Sequence, residues 1–183
     1  MRVLCKVLFV FLLLASADAY AYNGLGDWWN TVKTNVKETW TDGRISAYIP
    51  VNIWHNRLTY DKKKIKKYNE APYGIGAGLY RYDEDGNWHA LYAMGFKDSN
   101  YHLQTMFGYA YQHNWYLDED KNWRFGAGYT LGLTQRVEYK MIPLPLPLPV
   151  VSLSYKHFSV QSAYVPGFKN FGNVLFTWLK VDF

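Results

Sequence analysis

The sequence predicts an all-β fold: an eight-stranded antiparallel up-and-down transmembrane β-barrel preceded by an N-terminal amphipathic α-helix. Three observations predict it. From Arg44 to Phe183 apolar residues recur with period two, in eight runs separated by turn-forming clusters. The chain carries 17 Tyr and 8 Trp among 183 residues, the residue types that settle at lipid headgroup level. The links between runs are short on one rim and mostly longer on the other, as in outer-membrane barrels.

The elements follow in order. Residues 1–21 place Arg2 and Lys6 before nine apolar residues, Val7 to Ala15, and end in Ala19-Tyr20-Ala21. A basic start, a short apolar stretch and an A-x-A end describe a cleaved secretory signal peptide. Nine apolar residues are too few for a spanning helix, which needs about 20. Taking Arg2, Lys6 and Asp18 from the 20 basic and 15 acidic side chains leaves a net charge of +4, too modest to argue for nucleic acid. Cys5 is the chain's one cysteine and leaves with the leader. A thiolate metal site, a disulfide framework and a thiol nucleophile are therefore excluded from the expected product.

Residues 22–43 form the expected helix. Trp28, Val32, Val36 and Trp40 recur every four residues, with Lys33, Lys37 and Glu38 elsewhere on the wheel and Asp27 placed to cap. Residues 44–183 then form the barrel, with strands near 45–60, 73–82, 88–97, 103–116, 123–138, 148–156, 158–165 and 173–183. Short links at 83–87, 118–122 and 156–157 lie on the helix side. Longer links at 61–70, 139–147 and 166–172, with a brief one at 98–101, lie on the far side. The last strand sets Leu175, Thr177, Leu179, Val181 and Phe183 on one face, assigned to lipid. A soluble lipocalin-like barrel is the alternative architecture.

The interior predicts a ligand. On the lumenal face, strand 5 presents Gly126, Gly128, Thr130, Gly132 and Thr134; strand 4 presents Met106, Gly108, Ala110, Gln112 and Asn114. Mid-strand glycine weakens a sheet, and close approach of a ligand is one reason to keep it. Accommodation of bulky neighbours is another. Prolines mark weak seams because proline donates no ladder hydrogen bond: Pro50 and Pro72 between strands 1 and 2, Pro149 and Pro166 between strands 6 and 7. His55 lies in the upper half of strand 1, toward the far rim, and Asp98-Ser99 ends strand 3 on that rim. That is a base, a carboxylate and a hydroxyl of the kinds acyl transfer uses. Five lysines in residues 62–67 suit either a solvated loop or attraction to anionic headgroups.

Read together, these segments resemble the PagP family of lipid A palmitoyltransferases. The resemblance rests on Tyr48-Ile-Pro-Val-Asn-Ile-Trp-His55, Tyr68-Asn-Glu-Ala-Pro72, Gly86-Asn-Trp-His-Ala-Leu-Tyr-Ala-Met94, Phe96-Lys-Asp-Ser99, Ile142-Pro-Leu-Pro145 and Tyr164-Val-Pro-Gly167. It implies an outer-membrane enzyme of a Gram-negative cell, with a phospholipid donor, lipid A or lipopolysaccharide as acceptor, and no cofactor or metal. A monomer is expected. Its catalytic positions fall on His55, Asp98 and Ser99; its lateral gates on Pro50, Pro72, Pro149 and Pro166; its helix-to-barrel latch on Trp40 and Arg81. The acyl pocket is expected along Met94, Gly108, Ala110 and Gly128. Where the family's pocket floor has glycine this chain has Ala110, which implies a slightly shorter acyl chain. A non-enzymatic structural or channel-type small barrel is the competing function.

Overall fold

The computed structural model describes residues 24–183, so the expected leader lies outside the described residues. Helix α1 (Leu25–Asp42) leads into β1 (Arg44–His55), a one-turn helix α2 (Lys62–Ile65), β2 (Gly74–Tyr82), β3 (Trp88–Lys97), β4 (Leu103–Tyr116) and β5 (Trp123–Arg136). A 3-10 turn (Val137–Tyr139), β6 (Leu144–Tyr155), β7 (Phe158–Val165) and β8 (Val174–Asp182) complete the chain. Each strand pairs antiparallel with the next, and β1 pairs with β8 to close the barrel. Closure gives every strand a partner on both sides, the condition for backbone in hydrocarbon.

The alternation sorts side chains as expected. Phe176, Trp178, Lys180 and Asp182 of β8 are buried in the lumen, while Leu179 and Phe183 are exposed on the outside. In β5, Thr130 and Thr134 are buried and Phe125 is exposed.

Two strand boundaries differ from expectation by more than two residues, each for a physical reason. β1 stops at His55 rather than at residue 60, because Asn56 turns the chain. Its side-chain oxygen accepts from Leu58 N and its carbonyl from Thr59 N and Tyr60 N. β6 starts at Leu144, four residues before the expected 148, and runs straight through three prolines. Alternate residues of a strand aim their backbone groups to the same side. Prolines 145, 147 and 149 therefore all lack a donor on one side, while the ladder to β5 persists with Leu133 opposite Pro145 and Tyr129 opposite Pro149. The empty side faces β7, whose pairing with β6 begins only at Val150 opposite Ala163.

The β1–β2 seam is similar. Its register runs from Arg44↔Tyr80 to Tyr48↔Gly76 and stops. Above that point, on the side facing β2, Ile53 N donates to the loop carbonyl of Glu70 at 2.9 Å. Pro50 lies in this opened stretch, beside a register shift against β8 between Pro50 and Asn52. The barrel is thus zipped at the helix end and unzipped along two seams toward the other rim.

Helix α1 lies against β2 and β3, burying Val32 and Thr39. Arg81 donates to Asn35 Oδ1 and, at 2.6 Å, to Glu38 Oε2. Trp28 lies 6.1 Å from the Tyr129 ring, whereas Trp40 is 71% exposed. A strict four-residue repeat drifts by roughly 40° per step at 3.6 residues per turn, so by Trp40 the stripe has rotated off the barrel. Of the two expected latch residues, Arg81 holds the helix and Trp40 does not touch that contact. Asp27 sits in the first helical turn, and the capping position is Gly24.

The helix end of the lumen is sealed by a polar plug. Lys180 Nζ reaches Asp182 Oδ2 at 2.5 Å, and Ser46 Oγ donates to Asp182 Oδ1 at 2.7 Å. The ammonium also lies 5.2 Å from the Tyr80 ring and 5.0 Å from the Trp88 ring. Gln112 accepts from Ser152 Oγ, and Gln161 from Trp178 Nε1, in the neighbouring lumenal layer.

Candidate active site at the unzipped rim

β1 climbs from the helix end and delivers His55 as its last residue, 2% exposed. β3 climbs in parallel fashion two strands away, and its return turn carries Asp98 and Ser99. The long link between β1 and β2 fills the gap between them. Asn69 N donates to Ser99 O at 2.9 Å and Asn69 Nδ2 to Asp98 O at 3.2 Å. Non-adjacent strands are thereby bound into one corner.

Two of the expected site residues meet directly: Ser99 Oγ lies 3.0 Å from His55 Nε2. On the other side of the ring, Nδ1 lies 3.0 Å from Glu70 Oε1, which also accepts from His55 N at 3.2 Å. Arg57 grips the same carboxylate with Nη1 and Nη2 of its guanidinium, at 2.7 and 2.6 Å. That bidentate bond comes first in holding the Glu70 carboxyl down at about 2. Tyr68 stacks on the imidazole at 4.6 Å, and Tyr60 meets it edge-on at 5.0 Å. Tyr60 is in turn fixed by a 2.6 Å bond to Gly172 O.

Asp98 is occupied elsewhere. Its Oδ1 accepts from Asn100 N at 2.8 Å and from His102 N at 2.9 Å, and its Oδ2 accepts from Arg136 Nη2 at 2.9 Å. Of the three expected catalytic positions, His55 and Ser99 meet directly, while the Asp98 carboxylate is bonded to Asn100, His102 and Arg136. Asp98 braces the Ser99 turn, and Glu70 faces the imidazole. Asp98, His102 and Glu138 converge closely enough to resemble a cation site, but the Arg136 guanidinium already lies against both Asp98 and Glu138 and supplies the positive charge there.

Inside the barrel the structure is more filled than expected. The apolar cavity below the rim measures about 10 Å³ and is lined by Tyr92, Met94, Met106, Ala110, Val150 and Trp178, among others. A space of that size holds about one water. The mid-strand glycines explain the filling, because their missing side chains admit large neighbours. A Cβ at Gly76 would stand 2.5 Å from that of Met94, and one at Gly132 would stand 2.9 Å from the Tyr92 hydroxyl. Of the residues expected to line an acyl pocket, Met94 and Ala110 line this small cavity. Gly108 and Gly128 instead let β4 and β5 approach: a Cβ at Gly108 would press on the Leu131 carbonyl oxygen, and one at Gly128 on that of Tyr111. Two of the cavity's walls are methionines, whose flexible side chains can swing aside.

Sequence reading missed Glu70, Arg57, Tyr68 and Arg136 as members of the corner. Glu70 and Tyr68 stand in a recognised motif, but no spacing rule links a loop carboxylate to a strand-end histidine fifteen residues earlier.

Residues 35–180 match the family described as antimicrobial peptide resistance and lipid A acylation protein PagP. The chain is similar to the lipid A acyltransferase PagP of Yersinia enterocolitica, 51% identical over 155 residues, covering 85% of this chain and 76% of that one. The protein of the same name from Proteus mirabilis is 52% identical over 154 residues, covering 84% and 73%. That from Laribacter hongkongensis is 49% identical over 152 residues, covering 83% and 73%.

Proposed function

The chain belongs to the PagP family of lipid A acylation proteins, and on that premise we propose that it is an outer-membrane acyltransferase. It takes a palmitoyl or slightly shorter chain from the sn-1 position of a phospholipid and places it on the hydroxyl of a hydroxyacyl chain of lipid A. The observation that carries this reading is His55 Nε2 held 3.0 Å from Ser99 Oγ at a rim where two seams of the barrel wall are open.

His55 Nε2 takes the proton of the acceptor hydroxyl as its oxygen attacks the donor ester carbonyl. The Ser99 hydroxyl donates to the oxyanion that forms. Collapse breaks the ester bond to glycerol, and the imidazolium returns its proton to the departing alkoxide. The products are a lysophospholipid and lipid A with one more acyl group. Asp98, locked by Arg136 and two backbone amides, keeps Ser99 in register.

The seams flanked by Pro50 and Pro72, and by Pro149 and Pro166, admit lipid sideways. The acyl tail then enters the lumen by displacing Met94 and Met106, stopping against Ala110 and the polar layer beneath. Ala110 is 4% exposed and pairs with Ala90 and Thr130, so its methyl occupies the lumen floor. Ala110→Gly is expected to shift the preferred chain upward by about one methylene, each worth roughly 0.8 kcal/mol when buried. Competition between donors of graded length, read by mass spectrometry of the product, checks this. An unchanged preference removes Ala110 from the ruler.

Residues 62–67, on and beside α2, project five lysines at the same rim. Their anchorage is firm: Asp61 N donates to Asn170 Oδ1 at 2.9 Å, and Asn170 Nδ2 returns a bond to Asp61 Oδ2 at 2.8 Å. They attract the anionic headgroups of the acceptor leaflet at about 1 kcal/mol per lysine. Neutralising three of them with Gln removes about 3 kcal/mol and is expected to raise the apparent KM for lipid A about 100-fold at low salt, and to flatten its ionic-strength dependence. Equal salt dependence in both proteins would assign the lysines to solvation alone.

The filled lumen is the one observation favouring a non-enzymatic barrel. Mass spectrometry of lipid A from cells with and without this chain decides between them: an acyltransferase adds one acyl group, and a scaffold adds none.

A further inference from the structure

We propose that Glu70, and not Asp98, is the positioning carboxylate of His55, the third member of a Ser99–His55–Glu70 hydrogen-bonded chain. The kinetic part of this inference rests on the acyltransferase reading above; the geometric part stands alone.

A neutral imidazole carries one proton, on either nitrogen, and the partner of one nitrogen decides the state of the other. An ionised carboxylate only accepts hydrogen bonds. Glu70 at 3.0 Å from Nδ1 therefore places the ring proton on Nδ1 and leaves the Nε2 lone pair facing Ser99 Oγ at 3.0 Å. That is the tautomer a general base at Nε2 requires. Asp98 cannot serve in this role, because both its oxygens are taken by Arg136, Asn100 and His102.

Glu70 is itself held at three points. Arg57 clamps both its oxygens, His55 N donates to Oε1, and its carbonyl accepts from Ile53 N. The last bond matters for the fold. Where β1 loses its ladder to β2 beyond Tyr48, the main chain of Glu70 substitutes for a neighbouring strand two residues before His55. The opened seam thus sets the site's geometry: had β2 paired along the whole of β1, the Ile53 amide would not be free to hold the Glu70 loop. Tyr68, two residues earlier, fixes the ring plane by stacking.

The titratable and charged groups facing the imidazole are Glu70, Arg57, Tyr60 and Tyr68 from the first loop, and Ser99 with the Asp98–Arg136 pair from the β3 turn and β5. Only Glu70 offers a negative charge to Nδ1, so its removal has a signature of its own.

The test uses the full mature chain in detergent micelles. Relative to wild type, Glu70→Ala is expected to lower kcat about 10- to 100-fold with donor KM within twofold. Glu70→Gln, which keeps an accepting oxygen but not the charge, is expected to fall between the two. In both variants the acid limb of the rate moves to lower pH, because the lost negative charge had favoured the protonated ring. Nitrogen-15 NMR of His55 is expected to show the Nδ1–H tautomer in wild type and a mixture in Glu70→Ala. Heat-modifiable gel migration reports the fold, and if Glu70→Ala fails it, the isosteric Glu70→Gln carries the decision. A His55 tautomer and an acid limb that stay put in the folded variant overturn the proposal. A wild-type protein that transfers no acyl chain overturns the function, while the NMR result still decides the role of Glu70.

Discussion

His55→Ala is expected to lower acyl transfer from phospholipid to lipid A by about 10²–10⁴-fold, the range that general acid–base groups contribute, while the barrel stays folded. The side chain lies at the end of β1, beyond the last β1–β2 pair, and its loss removes no ladder bond. What it removes is the proton acceptor 3.0 Å from Ser99. The chain offers four other histidines as substitutes, at 89, 102, 113 and 157. His89 is buried against Asp83 and the Tyr109 hydroxyl, and His102 faces Glu138. His113 and His157 lie toward the helix end, on the lower parts of the barrel.

The pH dependence has a definite sign. The base acts only when neutral, so the rate falls as pH drops through the imidazole titration, ordinarily near 6.5. Glu70, held at about 2 by Arg57 and His55, stays ionised throughout that range and contributes no inflection of its own above about pH 3. Transfer of labelled palmitate in detergent, with heat-modifiable migration as the folding control, reads both results. A folded His55→Ala protein retaining more than a tenth of wild-type transfer would remove His55 from the chemistry.

The largest expected effect on stability lies at the opposite end. Asp182→Ala is expected to cost about 3–5 kcal/mol, the penalty for stranding one partner of a buried ion pair. Lys180 and Asp182 side chains are 2% and 3% exposed, and the other groups around the ammonium are the Tyr80 and Trp88 rings. Ser46 would lose its acceptor as well. Replacing both charges, as Lys180→Met with Asp182→Leu, is expected to restore most of the loss, because the cost comes from the unpaired charge. Urea unfolding of the refolded barrel in lipid vesicles measures all three proteins. If the double variant is no more stable than Asp182→Ala, the plug stabilises by packing and not by charge pairing.

The two ends differ because they do different work. Below Tyr48 and Val150 the wall is fully laddered and the lumen is plugged by charge and amide pairs. Above, the wall opens twice and the lumen is apolar, lined by residues that can move. Under the proposed function, a site that takes a lipid tail from the side needs local freedom of the second kind. A barrel that must stay closed in a membrane needs the first.

Much of this was legible in the sequence. Period two, turn clusters and loop asymmetry settled eight strands, their order and their lipid faces, since each is a local property of a chain whose side chains alternate. The seams were legible from proline alone, as a missing donor stays missing in any fold. His55, Asp98 and Ser99 could be brought to one rim because strand direction places each residue at a known end.

Tertiary structure decided the rest. It showed β6 extending through its prolines, because the side those residues cannot bond is the side left open. It filled the lumen, because Gly76 of β2 and Gly132 of β5 leave room that Tyr92, Met94 and Met106 of β3 and β4 take up. It gave the imidazole to Glu70 rather than Asp98, through a loop whose path depends on an unpaired stretch of β1. Local periodicity fixes which face a residue takes; which partner it meets across a gap depends on how separate segments close on one another, and no single segment carries that information.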